Sequence, residues 1–504
     1  MRKDFIKKGQ SINIELNKKQ VSPVCVSRFK KDDSFYRGYG VVKEKDFTGS
    51  DVIDDYLMYD FGEHYVGYLS FDISGIDEIC DSPVKLRFHF AEVPYEFTDC
   101  PESRTGWLSY SWIQEEIIHV DYLPSHVELP RRYAFRYVKI EVLAKNKIMK
   151  VVISNPRVTA ETSGDFEKYD IVKNPRWKKV GEVCVRTLRD CMQSFFEDGP
   201  KRDRRLWLGD MRLQALVNYD TFKNYDLVKK CMYLFAGLTG ESGIIPSCIY
   251  EFPKPMHGEI ELYDFALSFA ATLCDYYDAT NDRETAEELS EPAYSQYLLF
   301  EKLLDENYLI NPPEGWWCHI DWGKDFPKLL CMEALAIYFS GYMIDLAVKL
   351  SKNKEAEHIK ELRKNLFDAV TRTYYNAETG LFEEEGKVMW VPNIYLIDSG
   401  LIPKEQGVKM IYALRECKDA VFAITPSCHH YMLEAFAKLG LYDLLEEHID
   451  AYWGGMLRDG ADTFWETYDI NDPFVAAYDD VNLTSYCHAW STTPIYFILR
   501  YLDK

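Results

Sequence analysis

Between Asp198 and Asp210 the chain reads Asp-Gly-Pro-Lys-Arg-Asp-Arg-Arg-Leu-Trp-Leu-Gly-Asp, crowding aspartates and arginines around a single tryptophan. A solvated linker has no need of that tryptophan. A core would not hold so many ions unless they were paired, because an unpaired buried charge is costly. The floor of a cleft meets both conditions, with acids facing a ligand and arginines holding them; a charged connection between two helices is the alternative. A carboxyl group among cations loses its proton readily and one in an apolar pocket keeps it, so such a cluster can supply both forms. A second loop, Gly460-Ala-Asp-Thr-Phe-Trp-Glu466-Thr-Tyr-Asp469, again sets a carboxylate beside a tryptophan. Ile320-Asp-Trp322-Gly323 repeats the pairing, and Ser485-Tyr-Cys-His488-Ala-Trp490 opens the last expected helix. Glycoside hydrolysis asks for two carboxyl groups across a sugar ring, one protonated and one ionised, on surfaces that also stack on the ring. Asp203, wrapped by Arg202, Arg204 and Arg205, and Glu466, which follows Trp465, are the pair these loops offer. The alternative for Glu466 is a loop acid making structural hydrogen bonds.

The elements that must position these loops fall into two textures. Up to about Pro156, short alternating runs such as Val84-Lys-Leu86-Arg-Phe88-His-Phe90 and Val138-Lys-Ile140-Glu-Val142 mark strands with one buried face. Turn-rich clusters separate them, which argues for an antiparallel β-sandwich over residues 1–160. Residues 161–174 read as a linker. From 175 to 504 the period becomes helical, as in Ile359, Leu362, Leu366, Phe367 and Val370. Twelve helices are expected, near 181–197, 209–222, 224–238, 262–279, 282–307, 326–351, 354–373, 388–400, 405–416, 427–439, 441–453 and 484–502, with no convincing strand between them. No repeating sequence period supports a solenoid, so a closed toroid of six helical hairpins, (α/α)6, is expected. Function then belongs to its longer loops, 198–208, 239–261, 308–325 and 454–483.

At 504 residues the chain exceeds the size at which single cores stop growing, so two domains fit. The formal net charge of −22 would repel phosphate backbones and anionic membrane surfaces, so nucleic acid and membrane are not expected partners. No run of about 20 apolar residues is apparent for crossing a bilayer. The 36 Tyr, 28 Phe and 11 Trp supply many flat faces with polar edges, suited to sugars, though large aromatic cores account for most of them. Thirteen scattered cysteines, among them Cys25, Cys80, Cys100, Cys184 and Cys191, read as reduced thiols. The basic N-terminus has no apolar run of the secretory kind, and a cytoplasmic protein is expected.

Cys428-His429-His430 and Cys318-His319 lack a second ligand pair at zinc spacing, so neither metal nor cofactor is expected. Glu92, Trp107, Tyr110 and Trp112 could reach a binding site or pack at a strand edge. Glu241 to Pro246 and Tyr263-Asp264 are as readily structural as functional.

The 198–210 stretch closely resembles the catalytic signature of α-L-rhamnosidases of glycoside hydrolase family 78, Asp-Cys-Pro-x-Arg-Glu-Arg-x-Gly-Trp-x-Gly-Asp. The 460–466 loop resembles that family's Gly-Ala-x-Thr-x-Trp-Glu. The order of sandwich and toroid matches as well, and Asp60-Phe-Gly and Ala91-Glu92 look like its accessory sandwich. The resemblance implies that Asp203 is the general acid and Glu466 the general base of an inverting hydrolase, with their carboxyl groups about 6.5–9.5 Å apart. It further implies that Asp198 and Asp210 grip sugar hydroxyls and that Arg202 holds the acids. Trp207 would pack on the deoxysugar methyl, His488 would hydrogen-bond the sugar, and Trp322, with Trp465, would complete the binding residues. Three positions depart from the pattern: Asp203 stands for Glu, Gly199 for Cys and Leu206 for Gly. The sequence ends at Lys504, just after the last expected helix, so a compact form without the family's common C-terminal β-sandwich is expected.

The reading is thus release of terminal α-L-rhamnose from a small glycoside or oligosaccharide. A six-hairpin glycosidase acting on another sugar, or a carbohydrate-binding relative without turnover, are its competitors. Oligomeric state is not legible.

Overall fold

The computed structural model describes residues 1–76, 81–98, 108–167, 170–324 and 326–503. Cys80, Cys100 and Trp107 lie outside them. The alternation at Val84–Ala91 becomes a strand in which Val84, Leu86, Phe88 and Phe90 are buried and the intervening Lys85, Arg87 and His89 are turned outward. Every strand pairing in the N-terminal region is antiparallel, and ten strands join in one network. Its hub is the long strand Tyr56–Gly75. The first half of this strand pairs with Cys25–Lys31 and Tyr133–Ala144, the second with Ser125–Glu128 and Val151–Thr162. The faces close on a core that includes Tyr59, Phe61, Phe71, Phe88, Phe135 and Ile153, which is the sandwich expected.

Where the hub strand slips register between Asp60 and Tyr65, its residues leave the ladder and reach the helices. Glu63 pairs with Arg186 at 3.0 Å, and the buried His64 meets Asp190 at 2.7 Å. Arg132 pairs with Glu197 at 2.6 Å across the same junction. A bulge that bends a strand next to a site is a common way to aim side chains outward.

Eleven of the twelve expected helices are continuous, from Lys178–Cys191 to Tyr442–Arg458. The twelfth is a correction. Residues 484–488 form no helix, and the segment continues as a 3-10 turn Ala489–Thr492, a short helix Pro494–Phe497 and a π turn Ile498–Leu502. Pro494 has no N–H to donate and so starts a new helix rather than continuing one. Lys3–Ser11 is also helical, although an all-strand N-terminus was expected; Phe5 and Gly9 are buried against Tyr225–Gly237. Nor is the helical region free of strands. Leu206–Trp207, Cys248–Tyr250 and Met256–His257 form a small sheet, and Tyr375–Asn376, Leu381–Glu384 and Lys387–Val388 form another. These segments are too short for a period-two pattern to register in the sequence.

The helices Leu208–Asp220, Tyr263–Thr280, Leu329–Lys349, Trp390–Asp398 and Pro426–Leu439 contact one another in that order, and the broken C-terminal segment closes the ring back onto Leu208–Asp220. Outside them, Tyr225–Gly237, Arg283–Glu301, Asn353–Tyr374, Lys404–Glu416 and Tyr442–Arg458 each follow an inner neighbour after a short connection, and Lys178–Cys191 packs on the C-terminal segment, which completes the six-hairpin toroid. Leu329–Lys349 is long and apolar enough to cross a bilayer, contrary to the expectation that no such run exists. Its apolar stretch is 72% buried among its neighbours, which accounts for its composition.

Candidate active site

The loops that precede the inner helices converge at one end of the toroid and enclose a cavity of about 270 Å³. That is near the lower end of ligand pockets, roughly 300–1,000 Å³, and suits one sugar ring better than a chain. Asp198, Arg202, Asp203, Trp207, Asp210, Trp322, Glu466 and His488 all line it. Trp465 does not. Its ring, 1% exposed, packs on Tyr36 at 5.2 Å and Tyr486 at 5.5 Å behind the wall that carries Glu466. The chain bends at Glu466, which faces the cavity while its neighbour Trp465 faces the other side of the wall.

Asp198 organises the first loop. Its carboxyl accepts the backbone N–H of Asp203 at 3.0 Å and of Arg205 at 3.2 Å, while its own N–H reaches the Arg205 carbonyl at 3.0 Å. Gly199, where the family pattern has Cys, is required by this packing. A Cβ there would lie 2.2 Å from Ser485 Oγ and 2.5 Å from the Arg202 carbonyl. Leu206–Trp207 then pairs with Cys248 and Ile249, and Trp207 opens the helix Leu208–Asp220, whose Asp210 sits in the first turn. Lys201 turns the other way: fully buried, it donates to Glu96 at 2.5 Å and to the Thr484 carbonyl at 2.6 Å, and lies 3.2 Å from Glu92. Glu92 in turn accepts the Tyr486 N–H at 2.8 Å. Glu92, left open between binding and packing, therefore fastens the sandwich to both loops that carry the acids.

Glu466 is held by a different set. Its Oε2 accepts the Ser485 N–H at 2.9 Å and a guanidinium N–H of Arg202, and its backbone pairs with Ser485. Arg202 Nη1 also lies 3.4 Å from Asp203 Oδ1, so one planar guanidinium contacts both chosen carboxylates and keeps those oxygens within about 8 Å of each other. Arg205 approaches Asp203 from the other side at 3.6 Å. On the far wall His488 Nε2 meets Asp210 Oδ1 at 2.9 Å.

Burial and neighbours drive these acids apart. Burial, with the charge of Asp203 beside it, pushes the Asp198 carboxyl up to about 8 against the pull of His488. Asp210 is raised by burial too, against His488. Glu466 is equally buried, yet the Arg202 charge, helped by His488 and the Ser485 N–H, holds it below the usual carboxylate range. Burial alone would lower His488, but the hydrogen bond and charge of Asp210, with Glu466 and Asp198, raise it. At neutral pH Asp198 keeps a proton and Glu466 is ionised.

The cavity has further walls that the sequence did not single out. Ile260, Leu262, Phe265 and Trp317 make an apolar side next to Trp207, whose ring meets Phe265 edge-on at 6.2 Å. Tyr478 packs at a tilt against Trp322 at 4.4 Å, and the Arg202 guanidinium lies over its ring at 5.0 Å. Ile260, Trp317 and Tyr478 are loop residues, which carry no periodic signal, and Leu262 and Phe265 stand at the start of a helix whose pattern does not show which end faces the cavity. His319, considered only with Cys318 as a metal candidate, also lines the cavity. Burial pushes its imidazole down to about 3, and its Nε2 has no hydrogen-bond partner. Cys428-His429-His430 is part of the core: His429 is bonded to His448 at 2.8 Å and to the Ala423 carbonyl at 2.9 Å. Asp264 accepts the N–H groups of His319 and Ile320, fixing the loop that carries Trp322. Among the described residues, His64, Asp190 and Cys487 form one grouping able to hold a metal, and Cys274, Asp278 and Asp345 another. Neither lines this cavity. The described cysteines are free.

A family model described as the glycosyl hydrolase family 78 alpha-rhamnosidase N-terminal domain matches residues 23–160. Another, the bacterial alpha-L-rhamnosidase 6 hairpin glycosidase domain, matches residues 172–502. No curated protein sequence matches. Among solved structures, a rhamnosidase from Klebsiella oxytoca with rhamnose bound is 33% identical, with a TM-score of 0.95 and 99% of each chain covered. A family 78 rhamnosidase of Bacillus sp. GL1 shares the fold at 19% identity and a TM-score of 0.75, covering 89% of this chain and 47% of that one. A Streptomyces avermitilis alpha-L-rhamnosidase complexed with L-rhamnose does so at 16% identity and 0.70, covering 97% and 44%. The chain thus spans about half the length of the latter two and nearly all of the first. With both domains matched in order and the acids of both motifs gathered in one cavity, the chain belongs to the glycoside hydrolase family 78 α-rhamnosidases.

Proposed function

We propose that the chain removes a terminal α-L-rhamnosyl unit from a small glycoside or oligosaccharide in one displacement with inversion. The observation that carries this reading is the meeting of Asp203 and Glu466 in one sugar-sized cavity, bridged by Arg202 and held in contrasting electrostatic settings. The rhamnose bound in the Klebsiella oxytoca relative supports the choice of sugar. So does the apolar side made by Trp207, Leu262 and Phe265, which suits a methyl group where a hexose would bring a hydroxyl.

In this mechanism Glu466, kept ionised by Arg202, takes a proton from a water molecule as the water oxygen bonds to the anomeric carbon. The bond from that carbon to the glycosidic oxygen breaks, and the oxygen receives a proton from the opposite side. Asp203 delivers that proton. Burial and the charge of Asp203 beside it keep a proton on the Asp198 carboxyl. This answers the shortened acid: Asp203 reaches the leaving group, and Asp198 behind it holds a proton on the same wall. Asp210 and His488 bind hydroxyls on the far wall. Asp198 and Arg202 act through the acids, while Trp207 and Trp322 flank the ring. A cytoplasmic setting is part of the proposal, in keeping with the free thiols.

Following hydrolysis of an aryl α-L-rhamnoside by proton NMR tests the reading. The first-formed sugar should be the β-anomer. First appearance of the α-anomer would overturn inversion, and binding of rhamnose without turnover would leave a sugar-binding protein in place of an enzyme.

A further inference from the structure

Behind the wall that carries Glu466 lies a second cavity of about 260 Å³, nearly the size of the catalytic one. It opens between the sandwich and the toroid. The sandwich contributes Tyr36, Arg37, Tyr39 and Tyr95, and the toroid contributes Asp459, Trp465 and Tyr486. This is the cavity that received Trp465, and the indole Nε1 of that residue, in a side chain 1% exposed, has no hydrogen-bond partner. A buried N–H left unpaired costs stability, and such donors are rare in native proteins unless something else meets them.

The chemistry of the lining selects a class of ligand. Aromatic rings stand on several sides, and the Arg37 guanidinium lies 4.8 Å over Tyr36 and 5.4 Å from both Tyr95 and Tyr486. Its described hydrogen bonds go to the Pro473 carbonyl and the Tyr486 hydroxyl, which fixes its position at the cavity wall. Asp459 adds an acceptor, and Arg136 is already neutralised by Asp60 at 2.9 Å. Flat apolar faces with separate donors and an acceptor, without surplus positive charge, suit a neutral ring that carries hydroxyl groups on its edge. We propose that this cavity is a second carbohydrate site that binds a neutral pyranose against Tyr36, Tyr39 and Tyr95, back to back with the catalytic cavity. The site stands whichever sugar the catalytic cavity takes.

Titration calorimetry of the full chain with L-rhamnose, D-glucose, D-galactose and D-glucuronate, each to tens of millimolar, tests it. Tyr95→Ala removes a wall and Val41→Phe fills the space; both leave the catalytic cavity untouched, and thermal unfolding checks that each variant is folded. At least one neutral sugar should show a binding event in wild type that both variants lose, with hydrolysis of an aryl glycoside unchanged within about twofold. The proposal is overturned by the absence of any event beyond catalytic-site binding, or by a further event with glucuronate alone. It is equally overturned if the further event survives in the folded variants, or if the variants lose catalytic-site binding together with it.

Discussion

Two walls of the catalytic cavity carry the same chemical group in different company. On the wall formed by the 198–205 loop, Asp198 and Asp203 crowd together, and burial with the charge of Asp203 makes Asp198 retain its proton. On the wall formed by 464–488, Glu466 is as deeply buried, but a guanidinium and a backbone N–H meet it directly, and it stays ionised. Burial does not decide which carboxyl group is acid and which is base; the neighbours do. The sandwich enters this division of labour through Lys201, Glu92 and Glu96, which lock the two walls in place without touching the cavity.

The largest break in that contrast comes from removing each acid in turn. Glu466→Gln should lower kcat about 10³-fold on every substrate, because water must then attack without a base. Asp203→Asn should cost about 10²-fold on alkyl glycosides but far less on a nitrophenyl glycoside, whose leaving oxygen needs little proton donation. Comparing kcat for the two leaving groups in each variant checks this. Equal losses for both leaving groups in Asp203→Asn would remove Asp203 from the acid role.

A smaller effect concerns the proton on Asp198. Asp198 binds it at neutral pH and releases it as pH rises through about 8, so kcat/KM should fall on that side. Glu466 is ionised throughout, and the acid limb should lie below the ordinary glutamate value of about 4.3. In Asp198→Asn the carboxyl that holds this proton is gone. The basic limb near 8 should then be lost. A profile with an unmoved basic limb would separate Asp198 from the proton donor.

Much of this contrast was legible before any coordinates. The spacing within 198–210 and 460–466 named both acids, and period-two and helical patterns gave the sandwich and the inner ring. What the sequence withheld depends on distance in space. Arg202 stands next to Asp203 in the chain, yet nothing there reveals that its other nitrogen meets Glu466, or that Lys201 points away into the sandwich. Trp465 shows the opposite failure. Adjacency to Glu466 suggested that both face the sugar, whereas the two side chains line cavities on opposite sides of the wall.

His319 sharpens the comparison from outside both acidic walls. It presents a neutral imidazole among rings, stacked with Trp490 at 6.0 Å and edge-on to Trp322 at 4.9 Å, and it has no protein partner at Nε2. A group of this kind can hydrogen-bond a sugar hydroxyl without taking part in proton transfer, and one neutral hydrogen bond contributes roughly 0.5–1.5 kcal/mol. His319→Ala should therefore raise KM up to about tenfold and leave kcat within about twofold, with both limbs of the pH profile in place. His319→Asn, which restores a donor and an acceptor, should recover part of the loss. If kcat falls instead of KM rising, the imidazole serves the reacting groups, and the division between walls that react and walls that hold breaks down.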